Sequence, residues 1–198
     1  MLDASIFKAY DIRGVVDVTL TTEVVRAVGR VLGSMAREAD VKAFCVGRDG
    51  RLSGERLADA LVEGVLSTGI DVIDIGMAPT PVLYFATNYY GTGTGVAVTG
   101  SHNPPEYNGL KMMVAGVTLF ADQIQKIRER IERREWFEAE TPGTRKTVDA
   151  VAPYLEKVLG DLEVDVFLGR NCNDLALEGV LITIQPLGGG DKGVVFFH

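Results

Sequence analysis

Residues 95–114, GVAVTGSHNPPEYNGLKMMV, decide the fold of this chain. The stretch opens with an apolar run, residues 95–99, that is typical of a strand buried on both faces. A second apolar run, residues 110–114, indicates another strand. Between them lies a polar loop rich in Gly, Asn and Pro. Because open parallel sheets bind ligands at the carboxyl ends of their strands, this loop is the first candidate for a functional site.

Three helix–strand units lead up to this stretch or end in it. In the first, Thr21 and Thr22 can cap a helix with apolar residues at three- and four-residue steps, and residues 43–46 predict the strand that follows. In the second, Ser53 is the predicted cap, Gly69 ends the helix and residues 70–75 predict a strand. In the third, a helix over residues 80–86 with Pro81 in its first turn precedes the strand at 95–99.

This alternation predicts an α/β fold, with a mixed, largely parallel sheet between helices and a short C-terminal extension. Asp122 opens a further helix that turns Ile124, Ile127 and Ile131 inward. The polar residues 138–145 predict a linker. We therefore predict a first domain over residues 1–145. Residues 146–198 are predicted to hold a linker helix, at 148–162, and an incomplete or divergent second-domain segment with strands at 164–167, 180–184 and 194–197.

The composition excludes several classes of protein. An apolar fraction of 46% and a charged fraction of 24% are those of an ordinary globular protein. Twenty basic and 27 acidic residues give a net charge of −7, which makes nucleic acid an unfavourable partner. Two distant cysteines, Cys45 and Cys172, indicate no disulfide framework. Since no signal peptide or membrane-spanning run is recognisable, we expect a cytoplasmic protein without a membrane partner. The sequence contains no signal for the oligomeric state.

The loop after the strand at 95–99 carries a set of groups that favour phosphate chemistry. Ser101 supplies a hydroxyl, His102 an imidazole, Asn103 an amide and Lys111 an ammonium. A serine can carry a covalent group when a neighbouring base or cation assists it. A hydrolase triad matches poorly, because no aspartate is placed to orient His102 and adjacent side chains usually point apart.

Cations nearby favour phosphate as the group that Ser101 carries. Lys111, Arg48 and Arg13 are the candidates, since guanidinium groups match phosphate oxygens in pairs and lysine acts as a point charge. Each also has a plainer interpretation. Arg48 could form a surface ion pair with Asp49, Lys111 could be a solvated charge and Arg13 a turn residue. Likewise, His102 could be an ordinary loop residue, and Tyr10 could belong to the core.

Two other patterns favour no site. Asp161, Glu163 and Asp165 are spaced two apart, as on one side of a strand, but a solvated edge explains them. Residues 188–193 hold the glycines and lysine of a phosphate cradle without P-loop spacing, so a flexible turn is the better interpretation.

Three signatures in order resemble the α-D-phosphohexomutase family, especially its bacterial phosphomannomutase/phosphoglucomutase branch. They are YDIRG at residues 10–14, GRDGRLSG at residues 47–54, and TGSHNPPEYNGLK at residues 99–111. The likeness covers about residues 5–160, and three long signatures are far more specific than a single short motif. It implies the fold of the family's first domain.

The resemblance also implies the roles of individual residues. Ser101 would be the phosphoserine that exchanges a phosphoryl group with C1 and C6 of mannose or glucose phosphates, through a hexose 1,6-bisphosphate. His102 and Lys111 would flank that group, Tyr10 and Arg13 would line the cleft, Asn103 would shape the loop, and Arg48 would contact phosphate. Mg²⁺ would bind through the phosphate on Ser101.

Family members have four domains, and this chain matches one of them. The aspartates that hold Mg²⁺ in the family belong to its second domain, which the tail after about residue 162 does not match. We therefore expect an incomplete enzyme. The alternatives are a catalytically silent domain that binds sugar phosphate or a protein partner and, among enzymes, a phosphoglucosamine mutase.

Overall fold

The computed structural model describes residues 2–161 and, beyond them, the backbone of three short strands, at 176–177, 180–186 and 193–197. The chain forms two compact units, Met1–Leu159 and Gly160–His198. The first unit contains the loop of Ser101 and the strands that lead into and out of it.

The helix α1, Thr22–Glu38, begins where the sequence predicts a cap. The side chain of Thr21 accepts a hydrogen bond from the backbone N–H of Val24, which satisfies one of the unpaired donors of the first turn. The buried face of α1 includes Val25, Val28 and Leu32. This stripe follows the three- and four-residue spacing that the sequence shows.

The helix α2, Gly54–Leu66, packs closely against α1. A Cβ at Gly64 would lie 2.2 Å from the carbonyl oxygen of Arg26, and one at Gly29 would lie 2.4 Å from that of Leu61. The two backbones therefore touch at glycine positions. Ser53 directly precedes α2, as predicted for a cap, but it has helical backbone angles, and within residues 2–161 its side chain makes no capping hydrogen bond. Its hydroxyl instead accepts a hydrogen bond from the side-chain amide of the buried Asn108.

The described residues of the first unit form one seven-stranded mixed sheet. The strand bounds are Ile12–Val15, Ala43–Arg48, Asp71–Met77, Gly95–Val98, Tyr107–Val114, Val117–Thr118 and Arg145–Thr147 for β1 to β7. The strand order is β1-β5-β4-β2-β3-β7, with β6 beside β5. The strands β4, β2, β3 and β7 run parallel, whereas β5 is antiparallel to its neighbours β1, β4 and β6. The α/β prediction is thus confirmed.

Helices cover the sheet on two faces, and alternate residues of β2 show the division. The remaining helices are α3, Thr80–Tyr89, α4, Asp122–Arg133, and α5, Val151–Asp161. Phe44 and Val46 belong to an apolar core with α1, α2 and α4, and Cys45 belongs to another with α3. Burial raises the pKa of the Cys45 thiol, which lies 3.4 Å from the hydroxyl of Thr92.

The two strands around the Ser101 loop differ in part from the prediction. The strand β5 begins three residues earlier than expected, so Gly109 lies within the strand rather than in the loop that precedes it. A Cβ at Gly109 would lie 2.6 Å from the carbonyl oxygen of Ile12 in β1. The glycine therefore permits close approach of the neighbouring strand, which the sequence pattern did not reveal because β1 is only four residues long.

The predicted linker at residues 138–145 extends into a strand of the sheet. Its last residue, Arg145, begins β7, which pairs with β3 in the sheet of the first unit. The division into domains at residue 145 stays a prediction. The second unit contains the antiparallel strands β8, Ala176–Leu177, β9, Val180–Pro186, and β10, Gly193–Phe197. The strand predicted at 164–167, the carboxylates Glu163 and Asp165, Cys172 and most of the glycine-rich segment at 188–193 lie outside the described residues.

Candidate active site

The loop of Ser101 lies at the carboxyl edge of the parallel strands, beside the loop that follows β2. Arg48 at the end of β2 is opposite Val98 at the end of β4. One residue further on, the backbone N–H of Asp49 donates to the carbonyl of Val98 over 3.0 Å. Residues 49–53 and residues 99–106 are therefore neighbouring loops at the edge where such sheets bind ligands.

Ser101 occupies an exposed and strained position in this loop. Its φ angle is +51°, in the left-handed region that costs a non-glycine residue about 1–2 kcal/mol. Its backbone N–H donates to the hydroxyl of Thr99 over 2.9 Å. Since strain of this kind persists only where the surroundings impose it, the contacts that hold the loop matter for the orientation of the Ser101 side chain.

Arg51 provides most of those contacts. Its guanidinium donates to four backbone carbonyls of the loop: Pro104 at 2.7 Å, Tyr107 at 2.8 Å, Ser101 at 3.2 Å and Asn103 at 2.6 Å. The four N–H bonds of its two terminal nitrogens are thereby all used. Arg51 binds the loop from its start to the beginning of β5.

Asp49 completes this arrangement. One carboxylate oxygen accepts a hydrogen bond from the backbone N–H of Gly100 and the other accepts one from the N–H of Arg51, both over 3.0 Å. The carboxylate also lies 3.6 Å from the Nε of Arg51. A Cβ at Gly100 would lie 2.0 Å from that Nε, so the position must be a glycine for the guanidinium to pack there.

Two clefts flank the loop. The first, which we call the serine cleft, has a volume of about 730 Å³ and is lined by Val16, Asp49, Gly50, Arg51, Leu52, Ser53, Arg56, Ser101, Asn103 and Pro105. Arg56 also lines this cleft, and its guanidinium donates two hydrogen bonds of 2.6 Å to Asp17. These bonds lower the pKa of the Asp17 carboxyl and raise the pKa of Arg56.

The second cleft, which we call the arginine–lysine cleft, has a volume of about 790 Å³. Tyr10, Arg13, Asn103 and Lys111 line it, together with Ser5, Ile6, Lys8, Ala9, Asp11, Gly14, Val15, Thr19, Pro104 and Tyr107. Arg13 forms an ion pair with Asp11, and its Nε is buried without a hydrogen-bond partner among the described residues. Within residues 2–161, the ammonium of Lys111 makes no hydrogen bond or ion pair. Both volumes lie in the range of small-molecule sites, about 300–1,000 Å³.

The structure brings most of the predicted site residues to the two clefts beside the Ser101 loop, in two groups. Tyr10, Arg13 and Lys111 share the arginine–lysine cleft, whereas Ser101 lines the serine cleft; Asn103 lines both. The side-chain amide of Asn103 donates to the carbonyl of Gly100 over 2.9 Å.

Two predicted site residues line neither cleft. His102 is exposed in the loop itself. The guanidinium of Arg48 donates to the carbonyl of Asp49 over 3.4 Å and lies 4.0 Å from a carboxylate oxygen of Glu55. The predicted catalytic and binding roles of all seven residues stay predictions.

Asp49 and Arg51 were not predicted as site residues from the sequence, although both lie in the second signature. A polar residue in the loop after β2 could have been connected to the loop after β4, because parallel neighbours end at one edge. The sequence contains no signal for the four carbonyl contacts, since carbonyl groups are present at every residue.

The described residues do not fit a complete magnesium site. Within residues 2–161, no group of three or more Asp, Glu, His or Cys side chains could hold a metal ion. Mg²⁺ demands octahedral oxygen coordination, and a phosphate on Ser101 would supply only part of it.

Within residues 2–161, no helix is long and apolar enough to cross a bilayer.

Comparison with known proteins identifies the family of the chain. Residues 4–138 match the model of the phosphoglucomutase/phosphomannomutase alpha/beta/alpha domain I. A phosphomannomutase/phosphoglucomutase of Pseudomonas aeruginosa is 48% identical over 161 residues, which are 81% of this chain and 34% of that protein. A phosphoglucomutase of Neisseria gonorrhoeae is 41% identical over 80% of this chain and 35% of its own length.

A solved structure shows the same relationship. The crystal structure of a phosphoglucomutase/phosphomannomutase family protein from Burkholderia thailandensis matches with a TM-score of 0.76 and 44% identity, over 81% of this chain and 36% of the other. The fold and the family model thus define a first domain of the phosphoglucomutase/phosphomannomutase type. The chain belongs to the phosphoglucomutase/phosphomannomutase family.

The chain spans about a third of the length of the relatives it matches. Those relatives are named phosphomannomutase/phosphoglucomutase or phosphoglucomutase. The alternative of a phosphoglucosamine mutase finds no support in these names.

Proposed function

We propose that this chain carries the phosphoserine of a hexose-phosphate mutase. In the proposed reaction, the Ser101 oxygen attacks a phosphate of a hexose 1,6-bisphosphate. A bond from oxygen to phosphorus forms as the bond from the sugar oxygen breaks, the serine proton is taken up by a base, and the sugar oxygen is protonated. Transfer in the opposite direction to the other end of the sugar would interconvert the 1- and 6-phosphates of mannose or glucose.

One observation carries the proposal: Ser101 is exposed at the carboxyl edge of the sheet in a left-handed turn, in a chain of the mutase family. Catalysis of phosphoryl transfer rests mostly on positioning and on neutralising the phosphoryl oxygens. A strained serine with its loop firmly held supplies positioning. The neighbouring cleft supplies the cations Arg13 and Lys111.

The proposed roles of the other residues follow from their places. Arg13 and Lys111 bind phosphate oxygens of the substrate, with Tyr10 at the rim of the same cleft. Asn103 lines both clefts and shapes the loop through its hydrogen bond to Gly100. The exposed imidazole of His102 takes up and returns the serine proton. Arg48 is the one proposed phosphate contact whose side chain lines neither cleft.

We further propose that the 198 residues alone are a poor mutase or none. The described residues contain no acidic cluster to complete coordination of Mg²⁺ around a phosphate on Ser101, and the chain spans about a third of its relatives. Full turnover of mannose 1-phosphate or glucose 1-phosphate in a coupled assay, abolished by Ser101→Ala, would contradict this second proposal. The phosphoserine proposal would stand.

The phosphoserine proposal is tested by incubating the purified chain with glucose 1,6-bisphosphate and Mg²⁺ and mapping phosphate by mass spectrometry. We expect one phosphate, on Ser101, and none on Ser101→Ala. A second control is Ser53→Ala, which removes another serine of the serine cleft. A Ser101 that is never modified would support a catalytically silent domain instead, and calorimetry with glucose 6-phosphate would then show whether that domain still binds sugar phosphate.

A further inference from the structure

Arg51 lies next to the proposed phosphoserine, yet its charge is not available to a substrate. Each of its two terminal nitrogens donates to two carbonyls of the Ser101 loop, and its Nε faces Asp49 at 3.6 Å. A guanidinium has five N–H donors, and four of them are used here by backbone. A phosphate could bind Arg51 only by displacing the loop.

The four carbonyls belong to residues 101, 103, 104 and 107 and cover the whole span between the strained serine and β5. They converge on one planar group. Asp49 adds the N–H of Gly100 on the other side of Ser101, so the backbone is held immediately before the serine and at the serine itself. Residues 49 and 51 thus bind the loop on both sides of the left-handed turn.

We propose that Arg51 is a positioning residue that fixes the Ser101 loop in the conformation from which the hydroxyl reacts. The inference rests on the proposed function for its consequence in catalysis, and on the hydrogen bonds alone for its effect on the loop. Lysine cannot replace Arg51, because an ammonium has three donors and no planar fork to reach four converging carbonyls.

The decisive variant is Arg51→Lys, which keeps the positive charge. The matched control is Arg130→Lys, which makes the same chemical change at an arginine bonded to Glu38 by two hydrogen bonds of 3.0 and 2.7 Å. Glu38 ends α1, which leads to the amino end of β2 and therefore lies away from the Ser101 loop. Both substitutions replace a guanidinium that donates several charge-assisted hydrogen bonds by an ammonium, but only Arg51 bonds the Ser101 loop.

The first measurement is amide hydrogen exchange in the full 198-residue chain. We expect the amides of Gly100, Ser101 and Asn103, each hydrogen-bonded within the loop or to Asp49, to exchange at least about tenfold faster in Arg51→Lys. In Arg130→Lys they should exchange as in the unmodified chain. Equal protection in all three proteins would overturn the proposal.

The second measurement is the rate at which glucose 1,6-bisphosphate phosphorylates Ser101. A misplacement of about 1 Å can cost about 100-fold in rate, so we expect a loss of that order in the maximal rate for Arg51→Lys. The half-saturating bisphosphate concentration should stay within about threefold, because Arg51 does not contact the substrate. A merely destabilised protein would lose active fraction in both variants alike, and that result would overturn the positioning role.

The two measurements separate the proposals. If the unmodified chain takes up no phosphate, the proposed function fails, and the exchange rates still decide whether Arg51 holds the loop. If the chain is phosphorylated and Arg51→Lys reacts at the unmodified rate, the function stands and the positioning role is overturned.

Discussion

The interface of α1 with α2 and the Ser101 loop are held by opposite means. In the helix pair, apolar side chains are fully buried and backbones meet at Gly29 and Gly64. In the loop, the serine is exposed and the backbone is held by hydrogen bonds from Arg51 and Asp49. Burial of apolar area stabilises the fold without directing any one atom. Hydrogen bonds contribute less net stability but are directional, so they suit a group that must react.

The largest effect on stability is expected where the two helices touch. In Gly64→Val, the Cβ of the branched side chain would lie 2.2 Å from the carbonyl oxygen of Arg26. This close approach forces the helices apart. We expect the free energy of unfolding to fall by about 3 kcal/mol, at the upper end for an overpacked core. Urea unfolding followed by circular dichroism measures it.

The control for this substitution is Gly160→Ala, because no atom of residues 2–161 lies within 4 Å of a Cβ at Gly160 in α5. It should be neutral or slightly stabilising, since alanine favours a helix over glycine. Equal loss in both variants would show that the close approach of α1 and α2 does not decide stability.

The next largest loss of stability is expected for a leucine of the core. Leu61 of α2 is fully buried in the apolar core that includes Phe44 and Val46 of β2, whereas Leu52 in the serine cleft is fully exposed. We expect Leu61→Ala to cost about 2–3 kcal/mol, in the lower part of the range for a buried leucine, and Leu52→Ala to remain within about 0.5 kcal/mol of the unmodified chain. Similar losses for the two leucines in a urea titration would contradict the division between a buried helix layer and an open cleft.

A smaller effect is expected at the support of the loop. Asp49→Asn removes the charge beside Arg51 and one of the two acceptor oxygens. We expect a loss of about 1–2 kcal/mol, as for a hydrogen bond to a charged group, with faster exchange of the Gly100 amide. The comparison is Asp40→Asn, which breaks an exposed ion pair with Lys42 and should cost about 0.5 kcal/mol or less. If both substitutions cost the same, Asp49 is an ordinary surface charge.

The smallest effect on stability belongs to the residue with the largest proposed effect on function. Ser101→Ala leaves the backbone hydrogen bonds of the loop in place, because those bonds use N–H and C=O groups. Thermal unfolding should shift by less than about 0.5 kcal/mol in equivalent free energy, while uptake of phosphate at position 101 is lost. A large destabilisation would show that the hydroxyl holds the fold rather than serving chemistry.

Much of the helix layer could be predicted from the sequence, because periodic apolar residues report burial directly. The start of α1 at Thr21 is one example. The short strand β1 and the sheet partner of Gly109 could not be predicted, since both depend on which strands become neighbours. A serine before an apolar run is typical of a helix cap, which is why Ser53 was predicted to cap α2. Its hydroxyl instead accepts a hydrogen bond from the side-chain amide of Asn108, a contact that depends on the fold.

By itself, the sequence determined the alternating α/β fold, the chemistry of Ser101 as a candidate phosphate carrier and, through three signatures, the family. These depend on residue type and spacing along the chain. Only the tertiary structure decided that Ser101 and the cations Arg13 and Lys111 line two adjoining clefts, and that Arg51 holds the loop through four carbonyls. The physical reason is that carbonyl groups are the same at every residue, so their convergence on one guanidinium is a property of the folded backbone and leaves no mark in the sequence.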